Sequence, residues 1–317
     1  MKNNRLCIML IAIAVLFPPK TAAAGFEFQP RLETGMMFYS IEQSPLSKST
    51  LSQTGTSPGA NLAQEKIEFS DNMAFVGGGG TLFFRRLFVD LSGQYAFNGS
   101  ARTQASSSEY LGEENLFVNT EDDFHVQFYR TDMAISAGYA VNRRLSIYAG
   151  YKWASVDLDI TFEGSASGLN IDNWLLSGHL EGEEYDKFRY EGPFIGVAHG
   201  WDVVNPGFLK GAISAKVALA FLSSKFSLDQ TGAVTYTSMN GVAIDPYITA
   251  IDQKEAITGD TLGLTFGFDW NGMTTVESLS YMIGLSGYRY KFDADDPEAA
   301  DVSETAFIFK AVLTYVF

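Results

Sequence analysis

The stretch Phe307-Ile308-Phe309-Lys310-Ala311-Val312-Leu313-Thr314-Tyr315-Val316-Phe317 decides the fold. Phe307, Phe309, Ala311, Leu313, Tyr315 and Phe317 recur at every second position, and Ile308, Lys310, Val312, Thr314 and Val316 fill the places between them. Side chains that alternate in this way belong to a strand with one greasy face and one mixed face. The same pattern appears where Leu145, Ile147, Ala149, Tyr151 and Trp153 oppose Ser146, Tyr148, Gly150, Lys152 and Ala154.

Extending that period upstream predicts ten segments, at 26–42, 66–84, 86–98, 123–141, 144–163, 187–203, 207–228, 256–271, 276–293 and 304–317. Each exceeds the roughly 9–11 residues with which a tilted strand crosses a bilayer. The connections alternate. Arg85-Arg86, Val141-Asn142-Arg143-Arg144, Val204-Asn205-Pro206-Gly207 and Asn271-Gly272-Met273-Thr274 are short and read as tight turns. Between them lie polar stretches at 43–65, 99–122, 164–186, 229–255 and 294–303, expected to be long loops. Alternating short and long connections predict an all-β, transmembrane, antiparallel up-and-down barrel of about ten strands with both termini on the short-turn, periplasmic side. The β-branched residues between Val234 and Ile251 leave room for one more hairpin, making twelve.

The N-terminus adds a compartment. Lys2 and Arg5 precede an apolar run from Leu6 to Phe17, followed by Pro18, Pro19 and Ala22-Ala23-Ala24. This is the pattern of a secretory signal peptide spanning 1–24, with 25–317 as the barrel and its acidic outer loops. The sole cysteine, Cys7, lies in the removable segment, so the mature chain has no disulfide and no Cys-based metal site. Loss of Lys2, Arg5 and Lys20 and of no acid takes the net charge from −15 to −18, which disfavours nucleic acid as a partner.

Parity along the segments puts Arg31, Glu33, Asp90, Arg130, Asp132, Lys152, Lys216, Asp269 and Lys310 on the face opposite the greasy one, inside the barrel. Lone charges in such an enclosure are costly, so these five bases and four acids are expected to pair, with Arg130 and Asp132 as the nearest local couple. The alternative use of the same charges is to line a narrow, cation-preferring path. About eight strands give a barrel filled by side chains and about 16 an open channel, so ten favour a filled lumen.

Catalytic, cofactor and metal motifs are absent from the sequence. Asp122, Asp123 and His125 are a weak hydrolase candidate at a strand tip, and no nucleophile stands near them in sequence. His179 and His199 fall in other regions. Gly77-Gly78-Gly79-Gly80 lacks the Lys and the helix of a phosphate loop and reads instead as room for a large lumen neighbour or a sharply curved strand.

The outer stretches are acidic: Glu109, Glu113, Glu114, Glu121, Asp122 and Asp123 in the second, Glu181, Glu183, Glu184 and Asp186 in the third, Asp293, Asp295, Asp296, Glu298 and Asp301 in the fifth. Such charge suits a cationic surface ligand or divalent ions. Leu169, Ile171, Trp174, Leu175 and Leu176 in the third stretch are either a contact patch or a continuation of paired strands.

The last strand, with its alternation and the terminal aromatics Tyr315 and Phe317, resembles the C-terminal signal of bacterial outer-membrane barrels. That resemblance implies recognition by the outer-membrane assembly machinery, residence in the outer membrane of a Gram-negative cell, and contact with its lipid and lipopolysaccharide. In size and topology the chain is similar to omptin surface proteases and Opc-type adhesins. The expected function is that of a non-catalytic surface protein working through its acidic loops in binding, adhesion or envelope structure.

Overall fold

A computed structural model describes residues 26–43, 67–111, 116–170, 175–203, 211–274, 278–294 and 302–315. The expected signal peptide, the first outer stretch, the turn at 204–207, Ile171, Trp174, Glu113, Glu114, Asp295, Asp296, Glu298, Asp301 and Phe317 lie outside the described residues.

Ten strands run in chain order: β1 Phe26–Gln43, β2 Ile67–Phe84, β3 Leu87–Leu111, β4 Leu116–Ala140, β5 Leu145–Asn170, β6 Leu175–Val203, β7 Gly211–Met239, β8 Val242–Met273, β9 Leu279–Ala294 and β10 Val302–Tyr315. Each pairs antiparallel with its sequence neighbours, and β1 closes on β10 from Arg31↔Thr314 to Gln43↔Val302. Closure pairs both edges of every strand in the barrel itself; above it, among the described residues, β3 from Gly99 pairs only with β4 and β8 before Gly259 only with β7. The alternation in β10 sets its orientation: Phe307, Phe309, Leu313 and Tyr315 point outward and are exposed, while Ile308, Lys310 and Val312 are buried inside.

Outward apolar side chains form a belt around the lower barrel. It includes Leu32 and Phe38 on β1, Val217, Leu219 and Phe221 on β7, and Phe266 and Phe268 on β8. Above Phe221 the outward positions of β7 become Ser223, Lys225 and Ser227. The belt is therefore the membrane-spanning part, and aromatics mark its margins: Trp270 meets Tyr281 edge-on at 5.5 Å near the short turns, and Trp153 packs on Tyr151 at 4.7 Å at the other end.

The strands are of unequal length. β1, β2, β9 and β10 have 14 to 18 residues, whereas β3 to β8 have 25 to 32. This corrects the expectation of long loops at 99–122, 164–186 and 229–255. Most of those residues are paired strand, and the six long strands continue as one sheet far above the belt.

Two devices explain the continuation. β7 and β8 turn at Asn240-Gly241, with φ of 49° and 76°, the tight left-handed turn that an Asn-Gly pair favours. The β-branched residues around it therefore lengthen existing strands and add no new ones, so the strand count stays at ten. In β3 the register shifts between Ala96 and Gly99, with Asn98 at φ 62°, a bulge that redirects the strand above the belt. Among the short turns, Arg85-Arg86 connects β2 and β3 as expected, with Arg85 at φ 57°. The expected turn at Asn271–Thr274 begins later, because β8 stays paired through Met273.

The belt makes a depth-dependent demand. Val217→Arg is expected to cost roughly 2–4 kcal/mol and Ser227→Arg, above the belt on the same strand, under about 1 kcal/mol. Denaturant titration of the two variants refolded into lipid vesicles measures the difference.

Candidate functional site

The inside of the barrel is layered. Nearest the short turns, Arg31 bonds Asp90 through both terminal nitrogens, at 2.5 and 3.0 Å, and Glu33 through Nε at 2.7 Å. Across the lumen, Lys216 and Lys310 approach Asp269 at 3.2 and 3.5 Å. These groups border a cavity of about 600 Å³ that reaches the rim beside Phe83, Phe88 and Ser146. Gly77 and Gly79 stand opposite Glu33 and Arg31 on the neighbouring strand, and a Cβ at Gly79 would fall 2.1 Å from the Leu91 carbonyl oxygen.

Above this layer the lumen is closed. Arg130 is completely buried, with Nε and Nη2 on Asp132 at 2.6 and 3.0 Å and Nη1 on Glu304. Its guanidinium lies 4.5 Å from the centre of the Tyr288 ring and 5.9 Å from those of Tyr39 and Tyr290. Lys152 joins the cluster through Asp132 at 2.8 Å and through the Tyr290 hydroxyl at 2.6 Å. Higher still, Phe128, Phe188, Phe226 and Phe292 form an apolar core on the inner face, continuous with Met73 and Phe75 beside the Arg130 layer. An ion-paired Arg roofed by aromatics and capped by apolar side chains is a plug.

All nine inward charges inferred from parity are therefore in these two layers. Glu304 and Tyr39, Tyr190, Tyr288 and Tyr290 are not among them. Glu304 has the parity of Lys310 but sits at the first position of the expected last segment, where a face assignment stops being secure. The tyrosines carry no formal charge and escaped a reading based on charge.

Above the belt, the inner face of the raised sheet has a second apolar cluster of Phe162, Leu176, Leu180, Val234 and Tyr236. Leu176 is thus a core residue, while Leu175 beside it is exposed. Between the two clusters β6 holds Glu184 and Asp186 on the inner side, their carboxyls bonded to each other. Burial and the adjacent Glu184 charge push Asp186 well above the usual carboxylate range, and burial raises Glu184 too.

The outer face of the same sheet is a shallow depression of about 1210 Å³. Register places Asp123 opposite Glu163 and Glu163 opposite Glu181, three acids abreast on β4, β5 and β6. Glu183 lies in the next row, on the line Arg102, His125, Thr161, Glu183. Like charges directly opposite on adjacent strands repel across about 5 Å. The Asp122, Asp123 and His125 group is divided between faces: Asp122 is buried inside, and Asp123 and His125 point out. Asp123 accepts from the Gln104 amide at 2.6 Å, and the His125 Nδ1 has no hydrogen-bond partner among the described residues, so Asp123 does not orient the imidazole. His179 is on the raised part of β6, and His199 packs on Trp201 near the short turns, 4.4 Å between ring centres. Among the described residues no three His, Cys, Asp or Glu side chains converge as a metal site.

The chain is similar to the outer membrane protease OmpT from Escherichia coli, with a TM-score of 0.52, 10% identity, and coverage of 94% of this chain and 100% of that one. Lesser overlaps include a Pseudomonas aeruginosa FadL homologue, with a TM-score of 0.24, 11% identity, and 92% and 90% of the two chains covered. The transport unit of the autotransporter AIDA-I from Escherichia coli overlaps with a TM-score of 0.28, 10% identity, and 98% and 97% covered. At such identities the likeness to OmpT is one of fold, an outer-membrane-type β-barrel, and the two lower scores carry no argument. No family model and no curated protein sequence matches the chain.

Two outcomes follow from the inner layers. Glu304→Ala leaves the buried Arg130, Lys152 and Asp132 with one uncompensated positive charge and is expected to cost about 3–5 kcal/mol in equilibrium unfolding. Asp186 has a folded pKa above its unfolded value of about 3.9, so its contribution to stability is complete below about pH 4 and is lost as pH rises through the folded pKa. Asp186→Asn is expected to flatten that decline and to exceed the wild type in stability at pH 7, as denaturant titrations at a series of pH values will measure.

Proposed function

We propose that this protein is a non-catalytic outer-membrane surface protein, closed to solutes, whose raised β3–β8 sheet binds a cationic ligand on its acidic outer face. The observation that carries the reading is the Asp123–Glu163–Glu181 row with Glu183 beside it, four acids that share a depression of about 1210 Å³ with one arginine, Arg102, among the described residues. Like charges opposed in this way destabilise the sheet by a few tenths to about 1 kcal/mol for each pair. A cation laid across it relieves that repulsion. The breadth of the row suits a run of ammonium or guanidinium groups on a peptide or polyamine better than a single ion.

The belt and the outer-membrane-type fold support residence in the outer membrane, with the short turns and termini periplasmic and the sheet displayed outside. Contact with lipopolysaccharide and reading of β10 by the assembly machinery belong to the same proposal. The plug of Arg130, Glu304 and the tyrosines argues against the cation channel, and the separation of Asp122 from Asp123 and His125 argues against the hydrolase.

Titration of the full-length barrel in zwitterionic detergent with a fluorescent oligolysine peptide tests the reading. Binding should weaken with salt. Glu163→Gln/Glu181→Gln should lower affinity at least tenfold while raising thermal stability. Equal affinity in wild type and variant would refute the assignment.

A further inference from the structure

We propose that the short-turn end of the lumen is a separate binding site for a small organic anion, whose phosphate or carboxylate head is held between the ammonium groups of Lys216 and Lys310. The two charge clusters in this layer differ in kind. Arg31 holds Glu33 and Asp90 by direct bonds of 2.5 to 3.0 Å, which satisfies all three groups. Lys216 and Lys310 share the one carboxylate of Asp269, at 3.2 and 3.5 Å. Charge-assisted N–H···O bonds ordinarily fall at about 2.7–2.9 Å. Asp269 is only 4% exposed, yet its Oδ1 has no hydrogen-bond partner among the described residues. Two ammonium groups, with three donors apiece, thus face one incompletely engaged carboxylate, in a layer whose three bases and three acids balance in formal charge.

The backbone around the two lysines makes room for them. In register, Gly284 lies between Asp269 and Lys310, and Gly267 lies beside Lys216. A Cβ on Gly284 would fall 2.2 Å from Asp269 Oδ1 and 2.8 Å from Lys310 Cε, and one on Gly267 would fall 2.5 Å from Lys216 Cε. The space beyond is not wholly polar. The cavity of about 600 Å³ also has Phe194, Ala218, Met282 and Val312 in its wall, with the hydroxyls of Ser214 and Thr265 nearby. Volumes of about 300–1,000 Å³ with mainly apolar walls and a few convergent polar groups characterise small-molecule sites. An oxyanion head can satisfy both lysines while its organic part lies on the apolar wall, and the cavity's reach to the short-turn rim gives it entry from that side. The neighbouring Glu33 and Asp90, in the same cavity wall, are bonded to Arg31.

The test is isothermal titration of the full-length barrel, in detergent and free of phosphate, with phenyl phosphate, with benzoate and with uncharged benzyl alcohol. One or both anions should bind with one-to-one stoichiometry, and the alcohol should not. Lys216→Gln and Lys310→Gln, each checked for unchanged β-sheet circular dichroism, should weaken the anion at least tenfold. The variants leave the outer acidic sheet untouched, so oligolysine binding there should persist. No anion binding by the wild type, equal binding of the alcohol, or unchanged affinity in either folded variant would overturn the proposal.

Discussion

A ten-stranded barrel must fill what it encloses. Closure pairs the strand edges within the barrel, but it also sends half of the side chains of every strand into an enclosed space too wide for backbone contact. The Arg130 guanidinium meets this constraint at the middle of the lumen. It is engaged by Asp132 on its own strand and by Glu304 on β10, and it is faced by three tyrosine rings. The charged layer below and the apolar core above both depend on this roof, because it separates a polar vestibule from a dry interior.

Above the membrane the geometry reverses. Six strands outlast the barrel and carry their inner face into a second apolar cluster, while the outer face, no longer in contact with lipid, bears a row of acids in register. Within the belt such a row would be prohibitive; above it water and ions screen the repulsion, and a ligand can relieve what remains. The same alternation along a strand therefore serves two ends, lipid contact below and, in the proposed function, ligand contact above.

Parity was legible because it needs only the local period. The outward run of β10 and the inward positions of the nine charges follow from counting by twos. Strand ends were less legible. Segments 99–122, 164–186 and 229–255 are polar on one face, which looks like loop when the apolar face is interrupted by Gly and Ser, as at Gly164, Ser165 and Ala166. Asn240-Gly241 was the signal that could have marked 229–255 as a hairpin. Partners distant in sequence were not legible at all: Arg130 and Glu304 are 174 residues apart and meet only through closure of the ring. The acid row is likewise a product of register across three strands, invisible in any one of them.

The most direct test of the central claim, that the lumen is closed by the Arg130 plug, is the conductance of the full-length barrel in a planar bilayer, beside an Arg130→Ala/Glu304→Ala variant checked for β-sheet content. The account predicts a silent wild type and discrete openings in the variant, where the roof has been removed without leaving a lone charge. Stable, discrete openings in the wild type would contradict it.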